Sequence, residues 1–212
     1  MKDIYAITVS TKYDDILSIV IHQNVKFLKK WYIITDPADK ATINVVKTAN
    51  YPNIELLYYD FYSNAIFNVG GARQYGQLWS IAKNGMGKYT LMLDSDIFLP
   101  DNFMDVIDVH DIVEGTLYGV QRRHDYARLS DLQKQEGYAD YQEAPNIYGF
   151  FQLYVQAPNI LSQHSYDCSV SDIVFHNYFA HKERFPMTLC HLGQSRTHWQ
   201  GRKNKDDFEI DV

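Results

Sequence analysis

Lys88-Tyr89-Thr90-Leu91-Met92-Leu93-Asp94-Ser95-Asp96-Ile97-Phe98-Leu99-Pro100 is a short apolar run that stops abruptly in two carboxylates one residue apart. Its length and composition predict a buried strand, and the carboxylates end it. Residues i and i+2 of an extended chain point the same way, so Asp94 and Asp96 can converge on one cation or on a metal-bound diphosphate. A surface turn after a strand uses the same residue types, so the surrounding chain has to decide between the two.

Upstream, Asn68-Val69-Gly70-Gly71-Ala72-Arg73-Gln74-Tyr75-Gly76 leads into a helical stretch through Ala82 that Gly85 and Gly87 terminate. Small residues followed by an arginine at a helix start let the backbone approach a ligand and place a cation beside it. The Gly-x-Gly-x-x-Gly fingerprint and the P-loop are both absent, so dinucleotide and P-loop chemistry are not indicated. Earlier still, Ile4 to Val9 reads as a strand, and Asp14-Asp15 open an amphipathic stretch to Leu28. Trp31 to Thr35 is a strand stopped by Asp36-Pro37, Asp39 to Ala49 a helix, and Ile54 to Tyr59 a third strand. This β-α-β-α-β order predicts an α/β fold, with a mostly parallel central sheet flanked by helices. The ligand crevice of such a sheet lies at the carboxyl ends of its strands, which puts Ser10 to Tyr13, Asp36 and Asp94 to Asp96 on one rim.

Downstream, Asp101 to Val113 reads as a helix or irregular connection and Gly115 to Val120 as a strand. Gln121 to Ile147 is the most polar segment. With Arg122, Arg123, His124, Arg128, a helix near Leu129 to Glu136, Tyr138 and Tyr141, it reads as a long excursion over the rim, either a lid or a solvated surface helix. Gly149 to Val155 is an apolar strand whose Gln152, once buried, needs partners from the core or from a ligand. A helix is expected over Ser169 to His181, opened by Ser171 or Asp172; Asp172 is either its N-cap or a carboxylate facing the crevice. Phe185 to Cys190 is a last strand, followed by a segment rich in His, Gly, Trp and basic residues that runs from His191 to Lys203.

With 212 residues, 46% hydrophobic and 22% charged, the chain can bury one sizeable core. One domain over 1–212 is expected, with a smaller, mixed portion of the sheet within 101–212; the lack of a terminal stop signal also suits one domain of a longer protein. A formal charge of -6 argues against a nucleic-acid partner held by broad phosphate neutralisation. Arg196, Arg202, Lys203 and Lys205 form a basic cluster that suits a small anionic ligand or a solvated tail. Cys168 and Cys190 lie in no zinc or redox spacing and read as buried thiols of a reducing compartment. The longest apolar run, Ile16 to Ile21, falls far short of the ~20 residues of a membrane span, so a soluble, cytoplasmic protein is expected.

Two carboxylates and an imidazole suit a divalent ion with open positions; carboxylate oxygens favour Mg²⁺ or Mn²⁺, and a histidine tilts the choice towards Mn²⁺. Four features in order, Thr8-Val9-Ser10-Thr11-Lys12-Tyr13, Gly71-Ala72-Arg73, Asp94-Ser95-Asp96, and His191-Leu192-Gly193 with Trp199, resemble nucleotide-sugar-dependent glycosyltransferases of the GT-A fold, in particular the compact domains of chlorella viruses. The resemblance spans nearly the whole chain and implies a single Rossmann-like GT-A domain, working in the host cytoplasm if viral. It implies that Thr8, Val9, Ser10, Tyr13 and Asp36 line the nucleoside site, Tyr13 stacking on a base, most often uracil. It further implies that Arg73 reaches the nucleotide or sugar, that Asp94 and Ser95 serve ribose or metal, and that Asp94, Asp96 and His191 hold Mn²⁺. Gly193, Trp199 and Lys203 resemble the diphosphate-closing segment of retaining members, whose His-x-x-Gly-x-x-Lys-Pro-Trp pattern is met in part.

The implied reaction moves a hexose or deoxyhexose from a UDP-sugar to a hydroxyl of an oligosaccharide or glycoprotein glycan. An inverting enzyme needs an acceptor-side base, for which Asp172 is the best-placed carboxylate; a retaining one leaves Asp172 and Gln152 to hold sugar and acceptor. The C-terminal likeness favours retention. Three other readings use the same residues. One is a nucleotide-sugar or carbohydrate-binding module without turnover. Another is an aspartate-based phosphatase, although its motif normally ends a first strand. The last is a zinc protein using Cys168, Cys190 and several of His176, His181, His191 and His198, which lack the tight pairs of structural zinc sites. Tyr138 and Tyr141 are candidate ligand contacts from lid position alone.

Overall fold

The computed structural model describes residues 1–142, 147–167, 171–193 and 202–211. Among the described residues nine strands form one sheet in the order β3-β2-β1-β4-β8-β6-β9-β5, with β7 paired to β6. The strands are β1 (Ile4–Val9), β2 (Lys30–Thr35), β3 (Ile54–Tyr58), β4 (Tyr89–Leu93), β5 (Ile97–Phe98), β6 (Thr116–Tyr126), β7 (Ala139–Gln142), β8 (Phe151–Val155) and β9 (His181–Leu192). β1 to β4 all run parallel, as do β6 and β9, whereas β8 joins β4 to β6 antiparallel and short β5 and β7 are antiparallel to β9 and β6. The fold is the expected α/β class, mainly parallel, with its mixed part in the second half of the chain.

Among the described residues six α-helices cover the sheet: α1 (Asp14–Asn24), α2 (Lys40–Ala49), α3 (Val69–Asn84), α4 (Phe103–Val109), α5 (Leu129–Lys134) and α6 (Ser171–His176). The alternation of β1 explains the layers. Ile4 and Ala6 face a core built with Leu17 and Ile21 of α1, Val46 of α2 and Phe103 of α4, while Ile7 faces one built with Val69 and Ala72 of α3 and Phe175 of α6. Local chemistry sets the helix ends. Asp39 accepts from the Thr42 N–H at 3.1 Å and Asn68 from the Gly71 N–H at 2.8 Å, each as an N-cap, and Gly85 at φ 81° closes α3.

Three expectations need correction. Arg122, Arg123 and His124 belong to β6, which continues to Tyr126, so the polar stretch is not one long excursion: β7 returns along β6 and only α5 and its flanks lie between. Their charges are tolerated on a strand because Asp140 of β7 pairs with Arg122, and Arg123 pairs with Asp125 at 2.7 Å. The expected helix over Ser169 to His181 is the short α6, because His181 already opens β9. Gly70 and Gly71 sit inside the first turn of α3, and the close approach they permit is to the chain itself: a Cβ at Gly70 would overlap the Gln163 carbonyl, and one at Gly71 the Tyr59 hydroxyl.

Candidate active site

The sheet order places the site. From β1 the chain goes to β2 on one side and, after β3 and α3, returns to β4 on the other, so β1 and β4 flank the point where the direction of winding reverses. The crevice outside the carboxyl ends of two such strands is where α/β sheets bind ligands. Ser10 to Lys12 leave β1 there, Lys12 at φ 64°, and Asp94 to Asp96 leave β4 beside them. Tyr13 follows, and the fields of Asp96 and Asp94 reach it: burial first, then those two carboxylates, raise its phenol well above the usual range.

Asp94 and Asp96 face different partners. Arg73, reaching out of α3, donates to Asp94 at 2.9 Å, to Asp172 of α6, and to the Gly149 carbonyl at 3.2 Å. A Cβ at Gly149 would overlap the Asp172 carboxylate, so a glycine is required where α6 meets β8. Burial disfavours the Arg73 cation, but Asp172 and Asp94 more than restore it. Burial likewise raises Asp94; Arg73 opposes this, Asp96 and Asp172 add to it, and the carboxyl ends near a pKa of about 7. Asp96 turns instead to His191 on β9, Oδ2 lying 3.5 Å from Nε2, with Asp125 of β6 behind the ring at 3.2 Å from Nδ1. Burial penalises the imidazolium, yet Asp96 and Asp125 outweigh it and raise His191 to about 9.

Buried oxygens without a hydrogen-bond partner collect on this rim. Among the described residues they include Ser10 Oγ, Thr11 Oγ1, Thr35 Oγ1, Asp96 Oδ1 and Gln152 Oε1. A carboxylate oxygen can only accept, so a buried and unpartnered Asp96 Oδ1 calls for a cation or a proton. Asp96 and His191 therefore fit a shared hard divalent ion, whereas Asp94 is engaged by Arg73; among the described residues no three His, Cys, Asp or Glu already stand as a metal cluster.

The remaining expected residues divide. Val9, Ser10 and Ser95 lie on or just under the rim with Tyr13, and Asp36 caps its own turn by accepting from the Ala38 N–H at 2.7 Å. Thr8 is turned into the core, where its hydroxyl accepts from Trp31 Nε1 at 2.8 Å. Gln152 is fully buried; its amide donates to the Ile147 carbonyl at 3.1 Å. Asp172 lies in the first turn of α6 with its carboxylate on Arg73. Gly193 ends β9 at φ 114°, and Lys203 is exposed beyond it. Trp199, Arg196, His198 and Cys168 lie outside the described residues. Tyr138 stacks on His124 at 3.9 Å between centroids, and the Arg123 guanidinium lies 5.5 Å from the Tyr141 ring.

Sequence reading missed two residues. Asp125 lay inside a presumed loop, and only the strand register exposes it as the neighbour of His191. Arg202 belongs in sequence to a basic cluster that suits an anion or a solvated tail, yet it is buried, pairs with Asp15 and with Asp207 at 2.7 Å, and holds its guanidinium 4.9 Å over the Tyr13 ring.

No family model and no curated protein matches the sequence. Similar solved structures include 4-diphosphocytidyl-2C-methyl-D-erythritol synthase from Anaerococcus prevotii, at 13% identity and a TM-score of 0.42, covering 57% of this chain and 56% of that one. The chain thus spans little more than half of that protein. Inositol-1-phosphate CTP transferase from T. maritima aligns at 6% identity and a TM-score of 0.47, over 89% of this chain and 88% of that one. A protein described as a nucleotide-diphospho-sugar transferase from Desulfovibrio desulfuricans aligns at 9% identity and a TM-score of 0.45, over 91% and 83%.

Proposed function

We propose that the chain is a metal-dependent glycosyltransferase that moves a hexose or deoxyhexose from a UDP-sugar to a hydroxyl of an oligosaccharide or glycoprotein glycan, with retention. The observation that carries this reading is the unpartnered Asp96 Oδ1 beside His191 at the β1/β4 switch point, with Arg73 clasping Asp94 two residues away. A rim with one cation and a cation-seeking carboxylate suits a metal-bound diphosphate better than a neutral ligand. The motif likeness to GT-A enzymes supplies the sugar and the uridine.

In this reading Asp96 and His191, with Asp94 beside them, would hold Mn²⁺ or Mg²⁺. The ion, when bound, neutralises charge on the departing diphosphate. The bond from the anomeric carbon to the phosphate oxygen breaks, the bond to the acceptor oxygen forms, and the acceptor proton passes to the leaving phosphate. Arg73 orients the donor and adds positive charge. Asp172 holds Arg73 in place on the acceptor side, with Gln152 beneath the sugar. Val9, Ser10, Tyr13 and Asp36 take the nucleoside; with Arg202 over one face of Tyr13, a base stacks on the other face or displaces it. By the motif likeness, Gly193 and Lys203 serve the diphosphate. A thermal-shift panel of nucleotide sugars with and without Mn²⁺ tests the reading: stabilisation by a UDP-sugar only when the metal is present supports it, and stabilisation by none of them overturns it.

A further inference from the structure

The link from β1 to α1 has no slack. The Ser10 N–H still donates to the Ile34 carbonyl at 2.9 Å, and the Tyr13 carbonyl already accepts the Leu17 N–H at 2.7 Å, so Thr11 and Lys12 alone turn the chain. Lys12 does so at φ 64°, a left-handed backbone that its Cβ disfavours. Both of its peptide groups are gripped. Asp39 Oδ2 accepts the Lys12 N–H at 2.6 Å, and the Lys12 carbonyl accepts from Arg202 Nη1 at 3.3 Å. Tyr13 follows directly, with the same guanidinium 4.9 Å from its ring.

Asp39 has one oxygen more than its cap requires. As N-cap of α2 it needs only Oδ1, which accepts the Thr42 N–H at 3.1 Å. Oδ2 is aimed across at the β1 loop, steadied by the Thr42 hydroxyl, which donates to it at 2.7 Å. The turn that carries Asp39 is closed as well: the Asp39 N–H donates to the Asp36 carbonyl at 2.9 Å, and Asp36 Oδ1 accepts the Ala38 N–H at 2.7 Å. A fixed carboxylate just past the end of β2 therefore dictates the backbone of the residue before Tyr13. We propose that Asp39 is the positioning residue of this rim: it holds Lys12 left-handed and so sets the Tyr13 ring at the angle a nucleobase meets. The proposal rests on the nucleoside role given to Tyr13 above, but its first consequence concerns the loop alone.

Asp39→Ser separates capping from positioning. Serine caps a helix as well as aspartate does, but its single oxygen leaves none for Lys12. Uridine has no phosphate, so its NMR titration reads the nucleoside site without any ion. In Asp39→Ser the Lys12 amide proton should exchange with solvent at least about tenfold faster, and uridine should bind about tenfold more weakly, while the unfolding midpoint confirms a folded protein. Adding Lys12→Gly, which accepts a left-handed backbone without a Cβ, should restore binding by about threefold in that background. Unchanged Lys12 exchange, unchanged uridine affinity, or a loss that Lys12→Gly does not repair overturns the assignment. If the wild-type protein binds no uridine, the nucleoside reading fails instead, and the Lys12 exchange alone decides whether Asp39 sets the loop.

Discussion

Arg73 and Arg202 are both nearly buried, at 6% and 2% exposure, and each is clasped by two carboxylates, yet the regions around them behave differently. Arg202 ties the C-terminal turn to the first turn of α1, where Asp15 is also favoured by the helix end and the Lys12 carbonyl accepts another guanidinium N–H at 3.3 Å. Among the described residues none of these side chains is left with a buried, unpartnered atom. Around Arg73 the balance does not close: Asp94 is pushed up to about 7 despite its guanidinium partner, and Asp96 Oδ1 next to it is buried without one. A buried arginine is therefore a poor marker of function by itself. The marker is the carboxylate beside it that the protein leaves uncompensated.

That contrast can be broken in four ways. Asp96→Ala should have the largest effect, abolishing Mn²⁺-dependent UDP binding and lowering transfer by about 10³-fold; binding and transfer assays on the same preparation read both. Arg73→Met should lower kcat/KM by about 10²-fold and also stability, because it takes the cation from Asp94 and Asp172, both part-exposed, at a cost of about 2 kcal/mol, measurable by urea unfolding. Arg202→Met should cost stability on a similar scale but change transfer by less than about tenfold; if it instead destroyed transfer while leaving stability intact, the division between the two arginines would be wrong.

The smallest effect is one of pH, away from both arginines. His176 is 8% exposed and its Nδ1 accepts the Ile147 N–H at 3.2 Å; burial, with Lys182 nearby, holds its pKa below 6.5. The unfolded chain takes up this proton more readily, so the contribution is present above pH 6.5 and is lost as the pH falls through the depressed folded value. His176→Gln should flatten the acid side of the stability curve without altering transfer at pH 7.5.

The first half of the chain was legible because β1, β2 and β4 are buried on both faces and stop at polar residues. Ile4 to Val9, Trp31 to Thr35 and Leu91 to Leu93 follow that rule, and the rim they define follows from their order. The second half was legible only in part. Arg122 to Asp125 carry no apolar alternation, since their strand is stabilised by ion pairs with β7 and by register with β9, which no local window contains. Gly70 and Gly71 carried the right signal, close approach, with the wrong partner, because a glycine does not say whether ligand or chain will fill the space. The Asp94-Ser95-Asp96 turn was visible from the start; that its two carboxylates face different partners required Arg73 and His191 in place.

The central claim is that Asp96 and His191 form a cation site that only a bound diphosphate completes. Calorimetric titration of UDP into the wild-type protein and into Asp96→Asn, each with and without Mn²⁺, tests it most directly. The account predicts measurable binding for the wild type with Mn²⁺, at least about tenfold weaker binding without it, and no metal effect in Asp96→Asn. Equal UDP affinity with and without Mn²⁺ in the wild type, or an undiminished metal effect in the variant, would contradict it.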